Sequence, residues 1–526
     1  MIFLKGWVFG AAAGLLAGVG AQAADLTGKV KTAEFVRVCA SYGAGFFYVP
    51  GTDTCIKLGG FLRIDTTFNG GVYGQPAYFS DLGEGNRYRD YFVGRSRLGI
   101  SIDTRTATEY GLVRTFGLFD WQFQNYGSYN PSGTAAATFA GGGINNAFLS
   151  TSGGGYVAVD SLFIQFAGFT FGKSASAYAT PWHGYPGNNT SYLLGGHDTV
   201  TGVNNVKYTA EFGNGVSGTV GLDDPTVFNR TSIYDLPTGL NPVGVGGNAY
   251  GGAHAPDLVG NIRVDQKWGL LQLSAAAHEV NPSYNTLAPA ALPTAASEVS
   301  GHPDTKWGGS VMAALQIKDI PTGAGDDFKI DASYARGDTK NVISTSGFSP
   351  SFAMFSGTSR AGAYQSVGFG ATSDAVYFPV AAGGTGDVKL TTAYGIRGAF
   401  NHNWNPFWSS SLFGSASAVR YSGSALDLTT AMGQYCASYI GSTGGLPTKS
   451  ADFSCNPNYN VYQIGAITRW TPVKNLTFSA ELMYFRLDQN FTGASVLTPA
   501  APKPTAIYEY KNQDTAYLNV RVQRNF

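Results

Sequence analysis

Over segments of roughly 9–15 residues the chain alternates apolar and polar side chains at every second position, the signature of a β-strand with two unlike faces. Ile56, Leu58, Leu62, Ile64 and Phe68 share one face of such a segment, and Lys57, Arg63 and Asp65 share the other. Leu98, Ile100 and Ile102 oppose Arg95, Arg97 and Asp103, while Ile262 and Val264 oppose Arg263, Asp265 and Lys267. In the final segment Leu518, Val520 and Val522 oppose Asn519, Arg521 and Gln523. The pattern predicts sixteen strands, at 56–69, 90–103, 108–124, 156–167, 169–175, 205–213, 216–223, 257–267, 269–279, 305–318, 327–338, 388–402, 406–421, 459–471, 475–489 and 514–526. No helical periodicity competes with it beyond the N-terminus.

The connections carry the second signal, because they alternate in length. Long stretches at 70–89, 125–155, 176–204, 224–256, 280–304, 339–387, 422–458 and 490–513 are separated by short turns. These lie at 104–107, Ala167-Gly168, Asn214-Gly215, Trp268, 319–326, 403–405 and 472–474. A soluble sheet has no reason to place every long connection at one end. A transmembrane β-barrel does, with short turns on the periplasmic side and long loops outside. Trp268, Trp404 and Trp470 all sit at short turns, where amphipathic rings favour the membrane interface. Pro406 and Pro472 sit there too, where a missing backbone donor does least harm. The expected fold is all-β, a 16-stranded antiparallel transmembrane barrel. In hydrocarbon an unpaired backbone group costs several kcal/mol, so the sheet has to close on itself, and sixteen strands close around a water-filled lumen. Lipid then takes the place of a core behind each apolar face.

Composition agrees with this reading. Of 526 residues 71 are Gly, 34 Phe, 30 Tyr and 8 Trp, and charged residues make up only 13%. With 34 basic and 34 acidic residues the charge balances, which gives no reason to expect nucleic acid as a partner. Lys5, the apolar run Gly6–Gly20 and Ala21-Gln22-Ala23 form the n-region, h-region and cleavage pattern of a secretory signal peptide, expected at 1–23. A short segment at 24–55 would then precede the barrel at 56–526. It is expected to pack at the periplasmic mouth, and it is too short to be a soluble plug. Four cysteines suit an oxidising compartment. They allow three pairings, and proximity in the chain favours Cys39 with Cys55 and Cys436 with Cys455.

Enzyme motifs are weak. Gly196-His197-Asp198 lacks further ligands at metal spacing, and His278-Glu279 lacks the second histidine of a zincin. Neither a nucleophile elbow nor a P-loop is found, and no metal, cofactor or catalytic step is expected. An outer-membrane hydrolase or adhesin is the alternative from another class.

Three stretches carry a resemblance: Val36 to Arg63, Phe163 to Lys173, and the terminal Phe526. In them the chain resembles the general porins of alphaproteobacteria. That resemblance implies a homotrimer of sixteen-stranded barrels in the bacterial outer membrane, surrounded by lipid and lipopolysaccharide. It implies that the third long loop folds inward to narrow each pore. It also implies that Phe526 is the signal read by the barrel-assembly machinery.

On this topology the third loop is Ser176–Asn204, with Tyr178, Trp182, His183, Tyr185 and Tyr192 as lining candidates and Asp198 its one carboxylate. The wall candidates are Lys57, Arg63, Arg95, Arg97 and Arg114 against Asp65, Asp103 and Asp120. Five basic groups to three acidic ones make this a basic wall segment, and charge clusters in a pore select by sign. The expected function is passive diffusion of small hydrophilic solutes, with a weak anion lean. A substrate-selective channel for sugars or anions is the runner-up, because the loop tyrosines and Trp182 could stack sugar rings.

Overall fold

The computed structural model describes residues 37–70, 92–124, 156–227, 229–285, 298–346, 349–442, 449–499 and 503–526. The expected leader at 1–23 and residues 24–36 of the next segment lie outside them.

Sixteen antiparallel strands form one closed barrel. They are β1 (Cys55–Phe68), β2 (Phe92–Thr108), β3 (Gly111–Gln124), β4 (Tyr156–Phe166), β5 (Phe169–Ser174), β6 (Val203–Gly213), β7 (Val216–Asp223) and β8 (Asp257–Gln266). The second half comprises β9 (Gly269–Val280), β10 (Lys306–Lys318), β11 (Asp327–Arg336), β12 (Thr392–Asn405), β13 (Trp408–Arg420), β14 (Tyr459–Val473), β15 (Leu476–Gln489) and β16 (Gln513–Asn525). Closure is made by β16 on β1, from Phe61 opposite Asn525 to Phe68 opposite Leu518. Phe526 extends the seam, its N–H donating to Gly60 O at 3.0 Å and its carbonyl accepting from Gly60 N at 3.1 Å. Among the described residues no edge of the barrel sheet is left facing lipid, as an apolar solvent requires.

The two faces of each strand separate as the alternation predicts. On β16, Tyr517, Asn519 and Arg521 are buried, while Leu518 and Val520 are exposed. Leu58, Leu62, Ile64, Leu258, Ile262, Ile396, Ile464 and Leu482 belong to the same exposed apolar belt. A contiguous patch of this kind exceeds what a soluble monomer leaves open to water. Trp268, Trp404, Phe407, Trp408 and Trp470 stand exposed around the short-turn end as an aromatic girdle. Two of the short turns, Ala167-Gly168 and Asn214-Gly215, have positive φ at both residues, the conformation that suits a two-residue hairpin.

Two differences from the expected elements have clear causes. The strand expected to stop at residue 103 runs to Thr108, so the first short turn is Glu109-Tyr110. Thr104, Thr106 and Thr108 are β-branched and pair across to Thr115, Val113 and Gly111, which outweighs their polarity as a turn signal. The long loops, expected as irregular connections, build a folded cap over the outer end. A four-stranded sheet joins 352–356, 365–370, 506–510 and 494–497, and a three-stranded sheet joins 232–235, 373–377 and 389–390. Helix α1 (Ala431–Ser442) lies against them. Tyr234, Phe352, Phe355, Phe369, Tyr435, Tyr439, Phe491 and Tyr508 are among the residues of its buried core. Both expected disulfides are present: Cys436–Cys455 joins α1 to the chain leading into β14, and Cys39–Cys55 ties the N-terminal segment to the start of β1. That segment adds a two-residue strand, Phe47–Tyr48, paired with Ile56 and Cys55.

Candidate functional site

Glycine, asparagine and small residues dominate the chain between β5 and β6, which leaves it free to follow the inner wall. It does so along the side formed by β8 to β16. Its first anchor is apolar, where Tyr178 and Trp182 pack with Val259, Met312 and Ala314. The Nδ2 group of Asn261 donates to Ala177 O at 2.6 Å, and Nε2 of Gln272 donates to Ala179 O at 2.7 Å. At the far end Tyr192 and Leu193 pack with Ala399, Phe413, Ile467, Met483 and Tyr517. Gln463 pins this end twice, accepting from Leu194 N at 2.8 Å and donating to Tyr192 O at 2.6 Å.

Glu481 of β15 holds the middle of the loop. Its carboxylate accepts from Asn189 N at 2.5 Å, from Thr190 N at 3.3 Å, and from the hydroxyls of Thr190 and Tyr517 at 2.5 Å each. From β16, Arg521 donates to Asn189 O at 3.0 Å. Gly196 lies so close to the buried Arg397–Asp331 pair that a Cβ there would overlap Asp331 Oδ1. A strap from the cap, residues 338–346, locks the loop from above. Val342 O accepts from Gly195 N at 3.0 Å, and Lys340 Nζ lies 2.7 Å from His197 Nε2. Ser346 donates to Asp198 Oδ2 at 3.2 Å and also meets the Tyr185 hydroxyl.

The loop leaves β1–β4 as the opposite wall, and this wall is where the charged residues gather. Arg95 pairs with Asp65 at 2.7 Å, and Arg97 with Asp120 at 2.6 Å. Asp103 receives Arg114 at 3.0 Å and Arg105 at 3.2 Å. Arg521 adds a guanidinium 3.6 Å from Asp65, across the β1–β16 seam. Arg63 donates to Gln523 Oε1 at 2.8 Å and stacks over Phe61, with no ion pair among the described residues. Lys57 lies near the periplasmic end, over the Phe46 ring of the N-terminal segment. Counting Asp160, the neighbour of Asp120, and Arg521 from the adjoining strand β16, this side of the lumen sets seven basic groups (Lys57, Arg63, Arg95, Arg97, Arg105, Arg114, Arg521) against four carboxylates (Asp65, Asp103, Asp120, Asp160).

The expected wall residues are therefore brought together on one side of the lumen. The loop candidates divide. His183 is exposed and Tyr185 half-buried, whereas Tyr178, Trp182 and Tyr192 are almost completely buried against β8–β16. Three of the rings expected as a stacking platform for sugars, Tyr178, Trp182 and Tyr192, anchor the loop, because burying them removes large apolar faces from water. Asp198 is buried against the strap and does not face the arginines. Arg105 escaped the sequence reading because it fell in the misplaced first turn. Glu481, Arg397 and Asp331 were visible as polar residues on apolar-alternating strands, but nothing in the sequence says which of them meets the loop.

The sequence profile described as "Porin subfamily" matches residues 25–518. Porin Omp2b of Brucella abortus (strain 2308) is 29% identical over 275 residues, which cover 51% of this chain and 63% of the relative. Porin Omp2b of Brucella suis is 30% identical over the same length and coverage. The chain thus aligns with less than two thirds of these relatives. Among solved structures, the outer membrane channel DcaP of Acinetobacter baumannii superposes with a TM-score of 0.51 at 13% identity, over 91% of this chain and 99% of that one. At that identity the likeness is one of fold.

Proposed function

The chain belongs to the Porin subfamily, a family of bacterial outer-membrane β-barrels, and from that premise we propose that it forms a passive, water-filled channel for small hydrophilic solutes and ions. The observation that carries the proposal is the charged inner wall of a closed barrel. Guanidinium and carboxylate groups on β1–β4 and β16 need water, or each other, and the lipid-facing side of the same strands offers neither. The loop pinned along β8–β16 narrows the lumen towards that wall, so a solute passing through meets the arginines. No chemistry is required of the protein beyond holding this geometry.

The surplus of basic groups favours a weak anion lean, since no acidic loop residue faces the arginines and the one loop carboxylate is turned into the strap. The working unit is a homotrimer set in lipid and lipopolysaccharide, and the barrel-assembly machinery reads Phe526 during insertion. The exposed Phe526 ring, lying against Gly60 beside the β1–β16 seam, is available for such reading. Liposome swelling tests the diffusion reading. Permeation should fall smoothly with solute size across neutral sugars and show no saturation. Liposomes that do not swell with any small sugar would contradict it.

A further inference from the structure

We propose that a cavity inside the extracellular cap is a docking site for a small anionic polyol, a monosaccharide-sized solute with one carboxylate or phosphate and several hydroxyls. The proposal rests on the channel reading, which supplies the reason for a solute site at the outer mouth. The cavity has a volume of about 440 Å³, is open to solvent on one side, and is lined by the fourth long loop, 224–256, and by residues 349–372 of the sixth. That size lies within the range of roughly 300–1,000 Å³ typical of small-molecule sites. Most such sites are lined by apolar side chains, but six of the ten described residues lining this one are serine or threonine.

The cationic group is Arg230. Its guanidinium stacks over the Tyr250 ring, 4.1 Å from the centroid, and has no hydrogen-bond or ion-pair partner among the described residues. The ring beneath it is fixed, because the Tyr250 hydroxyl lies 2.9 Å from His278 Nε2 and 3.0 Å from Asp374 Oδ2. A guanidinium held by its face keeps its edge donors available, and that edge matches the two oxygens of a carboxylate or phosphate. Two further polar groups lack partners among the described residues. Asn248 uses Oδ1 to accept from Ile233 N and Tyr250 N, which leaves its Nδ2 donors unused. Ser349 Oγ is buried with no hydrogen bond. Leaving a buried polar atom without a partner is unfavourable, so a hydroxylated ligand that satisfies it is favoured.

Of the neighbouring carboxylates, Asp224 is engaged by Thr226 N and Oγ1 at the rim, and Asp374 does not oppose an anion at the cavity surface. Asp374 is fully buried behind the wall, with its oxygens engaged by Thr231 N at 2.8 Å, Thr339 N at 2.7 Å and the Tyr250 hydroxyl. A bare inorganic anion would use Arg230 alone and leave the hydroxyl-lined remainder empty. A neutral sugar would leave the guanidinium unpaired. The class that uses both is an anionic sugar.

Calorimetric titration of the detergent-solubilised protein with D-glucuronate, glucose 6-phosphate, glucose and acetate tests this, the first two ligands separating carboxylate from phosphate. Expected is saturable binding of at least one anionic sugar, tenfold or more tighter than glucose and acetate. Arg230→Gln and the cavity-filling Ser349→Leu should each weaken it at least tenfold. Equal affinity for all four solutes, no binding of either anionic sugar, or unchanged affinity in Arg230→Gln overturns the site. Potassium chloride conductance of the same preparations reports on the channel separately. Lost binding with normal conductance removes only the docking site, and normal binding with no conductance removes only the channel reading.

Discussion

Glu481 offers the sharpest test of how the loop is held. The carboxylate is fully buried and accepts three donors from loop residues Asn189 and Thr190 and a fourth from Tyr517. A hydrogen bond to a charged group contributes about 1.5–3 kcal/mol. The Thr190 hydroxyl reaches Oε1 at 2.5 Å, within the short range typical of charge-assisted O–H···O contacts. A double-mutant cycle with Thr190→Val and Glu481→Ala measures the coupling of that hydroxyl to the carboxylate, including the share passed through the Tyr517 hydroxyl that meets both, and it should return about 1.5–3 kcal/mol. The assay is guanidinium unfolding of the refolded protein in detergent, with single-channel recording as a second readout. Glu481→Ala should broaden the distribution of open-channel conductance, because Asn189 and Thr190 then lose three of the bonds that hold them to the wall. Strict additivity, with coupling below about 0.5 kcal/mol, together with an unchanged conductance distribution, would refute the assignment of Glu481 as the loop's central clamp.

Other outcomes follow from the same geometry. Replacing Cys436 and Cys455 with serine opens a loop of sequence separation 19. In a chain-entropy treatment this costs about 3 kcal/mol, and limited proteolysis should cut residues 421–458 while the barrel stays intact. Gly196→Ala places a methyl group against Asp331 Oδ1 beside the Arg397 pair, so the loop must shift, and single-channel conductance should change while the yield of folded barrel does not. In the strap, burial pushes the Asp338 carboxyl up to about 7, against the nearby His278. The unfolded value is about 3.9, so the stabilisation from this neutral group is complete below about pH 4 and is lost as pH rises through 7. Asp338→Asn keeps an acceptor for Ser310 Oγ and Asn341 Nδ2 without the charge. It should therefore reduce the fall in unfolding midpoint between pH 5 and pH 8, and an unreduced fall would show that Asp338 is not its source.

The barrel was legible because its constraint is local. Each membrane-crossing strand has to present lipid on one side and the lumen on the other, and that writes a period of two into segments such as Ile56–Phe68 and Tyr517–Asn525. Even the closing pair could be named, since an even-stranded barrel joins its last strand to its first. The cap was illegible for the opposite reason. Its strands are two to six residues long and two of its pairings reach across more than 140 positions, as Gln365–Val367 does in parallel with Tyr508–Tyr510. Helix α1 did leave a trace, with Met432, Tyr435, Cys436 and Tyr439 at helical spacing and all buried. Thr430 Oγ1 caps it, accepting from Gly433 N at 3.2 Å. A single helix of 12 residues was lost among 34 Phe and 30 Tyr spread through the loops. For the site, the sequence supplied the charged wall but not the partner of each loop residue. Those contacts link positions such as 190 and 481 through the closed lumen, where no periodicity reaches.

The most direct test of the central claim is the current carried by the purified protein in a planar lipid bilayer under a potassium chloride gradient. A water-filled lumen with seven basic groups facing four carboxylates on one side predicts discrete ohmic steps. It also predicts a reversal potential of the sign given by a modest chloride preference, one that shrinks as salt rises and screens the wall. Discrete channels with a clear potassium preference would contradict the charge assignment, and a correctly folded barrel that passes no current would contradict the channel itself.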